Sequence, residues 1–503
     1  MTTHILARIS VFGVLLAVVG ALLASGLSVR AAVITVNSTA DDLTVNGNCT
    51  LREAIQSANT DSAVDACAAG SGDDVIDLPA GTYTITIVGS GEDANATGDF
   101  DILTNLAING AAAGTTIVDG GQLDRVFDIS TNNGPTTTTI AGLTVRNGGA
   151  NGDEDGGGIQ SDYTLTLSGV IVTENDGDDG GGIENDGTLT INDSTISNNT
   201  ADEGDEGGGI WNSGDLTVNR STFSGNTSDD NGGGAISNEG GLAELNNTTV
   251  SGNTTVGAGG GILNDGGSTL LLNNSTIAGN SADGGGGGIA AEDIINKSAS
   301  IQVHDTYVSA GIGTSGAFGF ALLGGSAIDL ANTIVANNPT GGDCEVETGS
   351  FQSNNSLDSD GTCGLAGPGD KSAVDPQLAA LANNGGPTET RAIPATSPAT
   401  DAGDPETCLT EDQRGITRPQ DGNNDGTSVC DIGAYELQPA TPAPSGTPTL
   451  APATASPAAL PPTGASGDSG GSSMPWLVLA GLATLGAIGG FFMVRRRMGA
   501  TTS

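Results

Sequence analysis

A glycine-rich phrase that returns about every 26 residues constrains the fold of this chain more than any other feature. Gly-Gly-Gly-Ile, once varied to Gly-Gly-Gly-Ala-Ile, recurs with its isoleucine at Ile159, Ile183, Ile210, Ile236, Ile262 and Ile289. A second phrase of Ser/Thr, aliphatic and Asn residues follows at the same spacing and begins at Ser194, Ser221, Thr248 and Ser275. Periods of 20 to 50 residues are typical of structural units that stack.

Each repeat has the pattern of short β-strands. Aliphatic residues such as Leu189, Ile191 and Ile196 alternate with Thr, Asn and Asp over short runs that glycine bounds. Three short strands and three turns fit one repeat. The sequence therefore predicts an all-β fold, a parallel β-helix over residues 101–340, with one coil for each repeat.

One asparagine keeps its place in successive repeats, two residues after the repeated isoleucine. In register, these side chains would form a ladder of amides that hydrogen bond from coil to coil. The alternative is a set of solvated turn residues. The four positions are Asn185, Asn212, Asn238 and Asn264.

The charge of the chain restricts its partners. Lys and Arg total 14 against 59 Asp and Glu, a formal net charge of −45. This excess argues against nucleic acid, which requires a basic surface, and permits cationic partners such as divalent metal ions. Acidic residues also precede successive Gly-rich turns, where they either are screened by solvent or bind cations. They are Asp153, Glu154, Asp155, Asp176, Asp178, Asp179, Asp202, Glu203, Asp205, Glu206, Asp229 and Asp230.

Residues 1–31 have the pattern of a signal peptide. Basic residues precede the apolar run Ile9–Leu27, and Val29-Arg30-Ala31 supplies a small-residue cleavage site. Ala32 is an equally suitable end, so the mature chain is expected to begin at or near Ala32 or Val33. The alternative is a first transmembrane helix.

Residues 32–100 are predicted to form an N-terminal cap with one short helix. Thr50 and Glu53 have capping-box spacing, and an end coil of a β-helix needs a cover for its apolar stack. The CSLREA motif of secreted bacterial β-helix proteins resembles Cys49-Thr50-Leu51-Arg52-Glu53-Ala54. The repeats in turn resemble right-handed, pectin-lyase-like β-helices. Both resemblances imply a fold, and neither implies a particular catalytic activity.

Residues 341–437 are predicted to close the other end. Asp375-Pro376-Gln377-Leu378, Arg414 to Pro419 and Cys430 to Glu436 resemble the choice-of-anchor module of exported β-helix proteins. Six cysteines at short spacing in an exported chain predict three disulfides. The expected couples are Cys49 with Cys67, Cys344 with Cys363, and Cys408 with Cys430.

A calcium loop is the only cofactor site that the sequence suggests. Asp421, Asn423 and Asp425 place oxygen ligands at alternate positions before a turn glycine, like the first half of an EF-hand loop. Ile432 stands where that motif needs Glu, and Asp431 or Glu436 would have to complete the site. The alternative is an Asn/Gly turn without metal.

The C-terminal 66 residues have the order of an anchoring signal. A Pro-, Ala-, Ser-, Thr- and Gly-rich stalk (438–473) precedes an apolar segment (474–494) of membrane-spanning length and a basic cytoplasmic tail (495–503). Within the stalk, the sequence Leu460-Pro461-Pro462-Thr463-Gly464 matches LPxTG. This order resembles the sortase sorting signal, which implies a sortase-type transpeptidase and a cell-wall amine as partners. The alternative is that the helix remains as a membrane anchor at the cell surface.

Catalysis has little support in the sequence. From 130 to 300 the basic residues are Arg146, Arg220 and Lys297, in different repeat contexts. The acids lie in degenerate repeats, and Trp211 and Tyr307 look isolated. The expectation is a non-enzymatic spacer, adhesin or envelope component with an unidentified polysaccharide or protein ligand. The alternative is a polysaccharide lyase or glycoside hydrolase on the same fold.

The anchoring signal yields a prediction that extraction can test. If Thr463 is joined to the cell wall, Thr463→Ala should move the protein from the wall to the membrane or medium, because the transpeptidase loses the threonine whose acyl group it transfers to the cell-wall amine. Release by a muralytic enzyme, compared with release by detergent, measures the distribution. Wild-type protein that extracts fully in detergent with residues 464–503 intact would rule out sortase anchoring.

Overall fold

The repeats wind into a parallel β-helix with three long sheets. The computed structural model describes residues 31–129, 134–149, 155–202, 206–229, 232–291, 300–304, 306–310, 318–322, 326–338, 342–346 and 349–439. Its strands are numbered β1 to β39 in chain order, and all the strand pairs of the three long sheets are parallel. The predicted all-β solenoid is thereby confirmed.

The first sheet contains the longest strand of most coils. In spatial order its twelve strands are β1 (Val33–Thr35), β2 (Asp74–Leu78), β5 (Leu106–Gly110), β8 (Thr137–Ala141), β11 (Thr164–Ser168), β15 (Thr188–Asn192), β19 (Asp215–Asn219), β23 (Leu242–Asn246), β27 (Thr269–Asn273), β30 (Ser300–His304), β33 (Ser326–Ala331) and β36 (Gly349–Asn354).

The second sheet contains the strands that follow the Gly-rich turns. Its ten strands are β4 (Phe100–Asp101), β7 (Phe127–Ile129), β10 (Ile159–Ser161), β14 (Ile183–Asn185), β18 (Ile210–Asn212), β22 (Ile236–Asn238), β26 (Ile262–Asn264), β29 (Ile289–Ala291), β32 (Phe318–Leu322) and β35 (Gly342–Val346).

The third sheet closes the coil. Its main path is β3 (Gly81–Thr84), β6 (Thr116–Asp119), β9 (Thr144–Arg146), β12 (Ile171–Thr173), β16 (Thr195–Ser197), β20 (Thr222–Ser224), β24 (Thr249–Ser251) and β28 (Thr276–Ala282). Two further rows of strands meet β28. One runs β25 (Thr254–Thr255), β21 (Thr227–Ser228), β17 (Thr200–Ala201) and β13 (Asp176–Gly177), and the other runs β31 (Tyr307–Ala310), β34 (Ile334–Val335) and β37 (Leu357–Asp358). A separate antiparallel pair contains β38 (Leu381–Ala382) and β39 (Thr390–Arg391).

Stacked aliphatic side chains form the core of the coils. In the first sheet Leu165, Leu189 and Leu216 occupy one register position in consecutive coils, and each is fully buried. The repeated isoleucines stack in the same way in the second sheet, from Ile159 through Ile289. Because parallel strands lie about 4.8 Å apart, each side chain contacts its equivalent in the next coil.

The glycine phrase is required because neighbouring coils approach closely at the turns. Gly180 has φ of +66°, a left-handed conformation that favours glycine. A Cβ on Gly181 would lie 2.0 Å from the Thr200 carbonyl oxygen, and one on Gly182 would lie 2.6 Å from that of Gly209. A side chain at these positions would push the coils apart.

The predicted amide ladder is present and fully buried. The Asn185 side-chain amide donates to Asn212 Oδ1 at 2.6 Å, and the Asn212 amide donates to Asn238 Oδ1 at 2.8 Å. Asn238 continues the chain to Asn264 at 2.7 Å. The interpretation as solvated turn residues is wrong, because these asparagines end strands of the second sheet and face the core.

A second buried ladder was not recognised in the sequence. It occupies the last residue of the second repeated phrase and contains Asn175, Asn199, Asn226, Asn253 and Asn280. Each Oδ1 from Asn199 onward accepts both the amide Nδ2–H and the backbone N–H of the preceding member. The ladder therefore provides hydrogen-bond acceptors for the backbone N–H groups at a corner of the coil where strand pairing stops.

The cap helix, α1 (Leu51–Thr60), is held by the motif that the sequence singled out. Thr50 and Glu53 form the predicted capping box. The Arg52 side chain is fully buried and donates to the carbonyl oxygens of Gly98 and Asp99 at 2.6 and 2.8 Å. Its Nε lies 2.6 Å from Asp41 Oδ1. Arg52 thus ties the cap to the first strand of the second sheet.

The structure joins the six cysteines in the expected couples, Cys49–Cys67, Cys344–Cys363 and Cys408–Cys430. The region after the last coil folds back on the third sheet. There the buried Gln413 side chain donates to the Thr249 hydroxyl at 2.9 Å and accepts from the Thr276 hydroxyl at 2.6 Å. These contacts fasten residues far apart in sequence to the side of the coils.

Membrane attachment lies beyond what the structure describes. Among the described residues, no helix combines the length and the apolar character that a membrane span requires. The predicted span 474–494 and Leu460–Gly464 fall outside those residues.

The second ladder predicts a large loss of stability from one substitution. Asn226→Ala should lower the free energy of unfolding by about 3 kcal/mol or more, because it leaves several buried donors and acceptors of adjacent coils without partners. Asn219→Ala, in a half-buried ladder on the outside of the first sheet, is the matched control and should cost about 1 kcal/mol or less. Equal losses in chemical denaturation would contradict a special role for the buried ladder.

Candidate functional site

The second sheet presents one column of side chains to the outside. Its short strands have three residues, and the two outer residues face the core, so the middle one points away. We call this set the outer column: Asp101, Asp128, Gln160, Glu184, Trp211 and Ser237. Turns that carry further acidic residues border it, and several of its members are buried as a result.

Two glutamates meet over this column. Glu206 lies in the Gly-rich turn before β18, and Glu239 follows β22 at the opposite end of the strands. The Ser237 hydroxyl donates to Glu206 Oε2 at 2.6 Å and lies 3.4 Å from Glu239 Oε1. Trp211 Nε1 donates to Glu239 Oε1 at 2.9 Å. We call Glu206, Glu239, Trp211 and Ser237 the glutamate pair site.

The surroundings of Glu206 raise its pKa. Burial, the hydrogen bond with Glu239 and the charge of Glu239 together raise the pKa of Glu206 to about 9, against a lowering by Ser237. Glu206 therefore keeps its proton at neutral pH. A pair of carboxyl groups in which one keeps its proton is an arrangement that supports acid–base chemistry.

Glu184 adds a third carboxyl group beside Trp211. It is 6% exposed, and its Oε2 has no hydrogen-bond partner among the described residues. Burial, followed by the charges of Asp155 and Asp186, raises the pKa of Glu184 to about 8. Glu184 and Trp211 are register neighbours, so a ligand over the indole would also meet this carboxyl group.

Three aspartates at the N-terminal end of the column could hold a cation. One carboxylate oxygen each from Asp99, Asp101 and Asp128 lies within 4.8 Å of the others, and all three side chains are buried. Burial and the neighbouring acids raise the pKa of Asp99 to about 9 and that of Asp101 to about 7. A divalent cation such as Ca²⁺, which takes carboxylate ligands, would favour the ionised form of all three.

The cap positions this aspartate cluster. Arg52 holds the backbone of residues 98 and 99, and Asn59 Nδ2 donates to the Asp101 carbonyl oxygen at 2.7 Å. Arg125 lies on the other side, with its Nε 3.0 Å from Asp99 Oδ2. The position of this strand therefore depends on contacts with a helix that precedes it by some forty residues.

The predicted calcium loop is an exposed turn. The carboxylate oxygens of Asp421 accept the backbone N–H groups of Asp425 and Gly426, and Asn423 Oδ1 accepts that of Asp425. Asp431 is buried and accepts the N–H of Asp401 at 2.7 Å. Calcium binding by Asp421, Asn423 and Asp425 remains a prediction.

Sequence reasoning missed the glutamate pair site. It treated Glu206 as one acid of a solvated edge and Trp211 as isolated, whereas the coil brings Trp211, Glu239 and Glu206 together. A usable signal existed: at the Trp211 register position the other coils have no aromatic side chain. A lone aromatic side chain in a column of otherwise varied, non-aromatic residues marks a position where stacking alone does not decide the residue.

Two solved structures are similar to this chain in fold. A pectate lyase matches with a TM-score of 0.43 and 14% identity over 82% of this chain and 98% of that one. The A-module of a mannuronan C-5 epimerase from Azotobacter vinelandii matches with a TM-score of 0.36 and 15% identity, over 59% of this chain and 88% of that one. No protein-family model and no curated protein matches the sequence. At such low identities and TM-scores, the likeness concerns the β-helix alone.

Both of these solved structures are of enzymes by name, contrary to the expectation of a non-enzymatic protein. The physical argument behind that expectation also fails. It assumed that the acids of degenerate repeats form no singular cluster, and the glutamate pair site is one.

The raised pKa values predict that stability falls as pH rises. A folded state that raises the pKa of Glu184 and Glu206 from 4.5 binds protons that the unfolded chain releases. The stability that these two raised pKa values give the folded state is therefore complete below about pH 4, and it is lost as pH rises toward 9. Melting temperatures of the Glu184→Gln, Glu206→Gln double variant, measured in chelator from pH 5 to 9, should fall less than those of wild type. An identical fall in both proteins would contradict the assignment.

Proposed function

We propose that this protein is a carbohydrate-active enzyme, a glycoside hydrolase that binds an extracellular polysaccharide along the outer column. The observation that supports this most directly is the pair of Glu206 and Glu239, which meet over Ser237 beside the indole of Trp211. Glycosidases act through two carboxyl groups, one of which keeps its proton to protonate the leaving oxygen.

The environments of the two glutamates suggest their roles. Glu206 is the proton donor, because burial and Glu239 keep it protonated at neutral pH. Glu239 is the carboxylate, held by the Trp211 N–H, and takes a proton from the attacking water. Water then adds to the anomeric carbon while the Glu206 proton passes to the glycosidic oxygen. Because working carboxyl groups of glycosidases lie about 5 to 10 Å apart, the bound sugar must separate the hydrogen-bonded pair.

Trp211 gives the site a surface for a sugar ring. The side chain is half-buried, so part of the indole remains accessible while its N–H is fixed on Glu239. Aromatic rings combine a large apolar face with a polar edge, which suits stacking against a sugar. The position is central in the outer column, between Glu184 and Ser237.

The charge of the site favours an uncharged or amino-bearing glycan. Besides the protonated Glu184 and Glu206, the site is bordered by the acidic side chains of Asp155, Asp162 and Asp186. The nearby cation, Arg125, is engaged with Asp99. A polyuronate would meet like charges here, whereas a neutral or protonated amino sugar would not.

The cellular place of this activity follows from the sequence patterns and is part of the proposal. The signal-peptide pattern of residues 1–31 supports export, and the LPxTG pattern with its apolar segment supports attachment at the envelope by a sortase or by the helix itself. An enzyme held there would act on glycans at or near the cell surface.

Conservative substitutions at the pair test the proposal. Glu206→Gln and Glu239→Gln should each lower kcat by about 100-fold or more, because each removes one partner of the proton transfer. Trp211→Ala should mainly raise KM through loss of the stacking surface. Release of reducing ends from neutral, amino-bearing and uronate polysaccharides is the measurement, and activity should decline above about pH 9 as Glu206 loses its proton.

Glu244→Gln is the matched control, since this glutamate lies on the first sheet and contacts Asn246. It should retain wild-type activity. The proposal fails if no polysaccharide is cleaved, or if the Glu206 and Glu239 variants cleave as fast as wild type. An unsaturated product from polyuronates would instead indicate a lyase.

A further inference from the structure

The first residue of the described chain that enters the β-helix contacts a buried carboxylate. Val33 pairs with Val75 in the first sheet, so Ala32 lies opposite Asp74. The Ala32 N–H donates to Asp74 Oδ1 at 3.0 Å, and the Ala32 carbonyl oxygen accepts the Val75 N–H at 2.9 Å. Two hydrogen bonds therefore fix the position of the Ala32 nitrogen.

The Asp74 carboxylate is incompletely satisfied by these contacts. Asp74 is 1% exposed, and besides Ala32 its Oδ1 accepts the Ser71 N–H at 2.8 Å. Its Oδ2 is buried and has no hydrogen-bond partner among the described residues. A buried carboxylate with only neutral donors is costly, whereas a positive charge at hydrogen-bond distance would compensate it.

Peptide-bond cleavage at one position would supply that charge. We propose that export processing hydrolyses the bond between Ala31 and Ala32, and that the new α-ammonium group of Ala32 forms a buried ion pair with Asp74. In this step a signal-peptidase-type enzyme adds water across the bond. The C–N bond breaks, Ala31 leaves with a carboxylate, and the nitrogen of Ala32 takes up a proton.

The register distinguishes this bond from its neighbour. Cleavage after Ala32, which is equally acceptable as a small-residue site, would leave Asp74 without the Ala32 donor and Val75 without its acceptor. Cleavage before Ala31 would keep an uncharged amide at Ala32. Ala31 is exposed and Ala32 is half-buried, so the boundary between removed and retained chain coincides with the edge of the fold.

Because of this ion pair, cleavage between Ala31 and Ala32 would change the stability of the fold. The unprocessed chain would hold Asp74 with neutral N–H donors, and the processed chain would hold it with a cation that can offer three donors. Asp74 begins β2, which pairs with β1 and β5 at the N-terminal end of the stack. Maturation would therefore stabilise the end coil beneath the cap.

Three chains that differ by one residue test this inference. Mature chains that begin at Ala31, Ala32 and Val33 and end at residue 503 are prepared in detergent behind a tag whose protease leaves no extra residue. The Ala32 chain should have the highest melting temperature, by about 3 °C or more. Mass spectrometry of the exported protein should show Ala32 at its N-terminus.

Two substitutions identify the partner of the ammonium group. Asp74→Asn should abolish the advantage of the Ala32 chain, whereas Asp73→Asn, at an exposed carboxylate that contacts Asn105, should preserve it. If Asp74→Asn chains do not fold, acetylation of the wild-type Ala32 chain replaces them and should remove the same advantage. Equal melting temperatures for the three wild-type chains, or an exported protein that begins elsewhere, would overturn the inference.

Discussion

Register between successive coils is the constraint on which the rest of this structure depends. Parallel pairing places equivalent residues of consecutive repeats about 4.8 Å apart, so each column is a stack of similar side chains. Leucine over leucine and asparagine over asparagine are stabilising, and glycine over glycine allows the turns to nest. Any shift of one residue would turn the core column outward and break the amide ladders together.

The same stacking creates the chemistry of the outer column. Acidic residues of neighbouring coils are brought together with little solvent, and burial raises the pKa values of Glu184 and Glu206. Trp211 lies between Glu184 and Ser237 in the outer column, so a half-buried indole adjoins these carboxyl groups. A regular stack of coils thus contains one irregular group of side chains on its outside.

Buried arginine side chains with defined partners order both the N-terminal cap and the C-terminal region. Arg52 donates to the carbonyl oxygens of Gly98 and Asp99, just before β4. In the C-terminal region Arg414 lies over the Tyr435 ring and pairs with Asp412, while Arg418 donates to the carbonyl oxygens of Asp431 and Gly433. A buried arginine needs several hydrogen-bond acceptors in fixed places, and few sequences provide them. The segments around Arg52, Arg414 and Arg418 can therefore be recognised in the sequence.

By itself the sequence determined the parallel β-helix, its coil length, the capping box of α1, the ladder from Asn185 to Asn264 and the cysteine couples. These features depend on periodicity or on residues close in the chain, and periodicity converts directly into stacking. The tertiary structure alone decided which acids meet. Glu206 and Glu239 are 33 positions apart and belong to different turns, and only the closure of two coils around Trp211 and Ser237 joins them. Asp99, Asp101 and Asp128 likewise need the pairing of β4 with β7. The burial of these acids and the raised pKa of Glu206 depend on distances between side chains of neighbouring coils, and those distances exist only once the coils have closed.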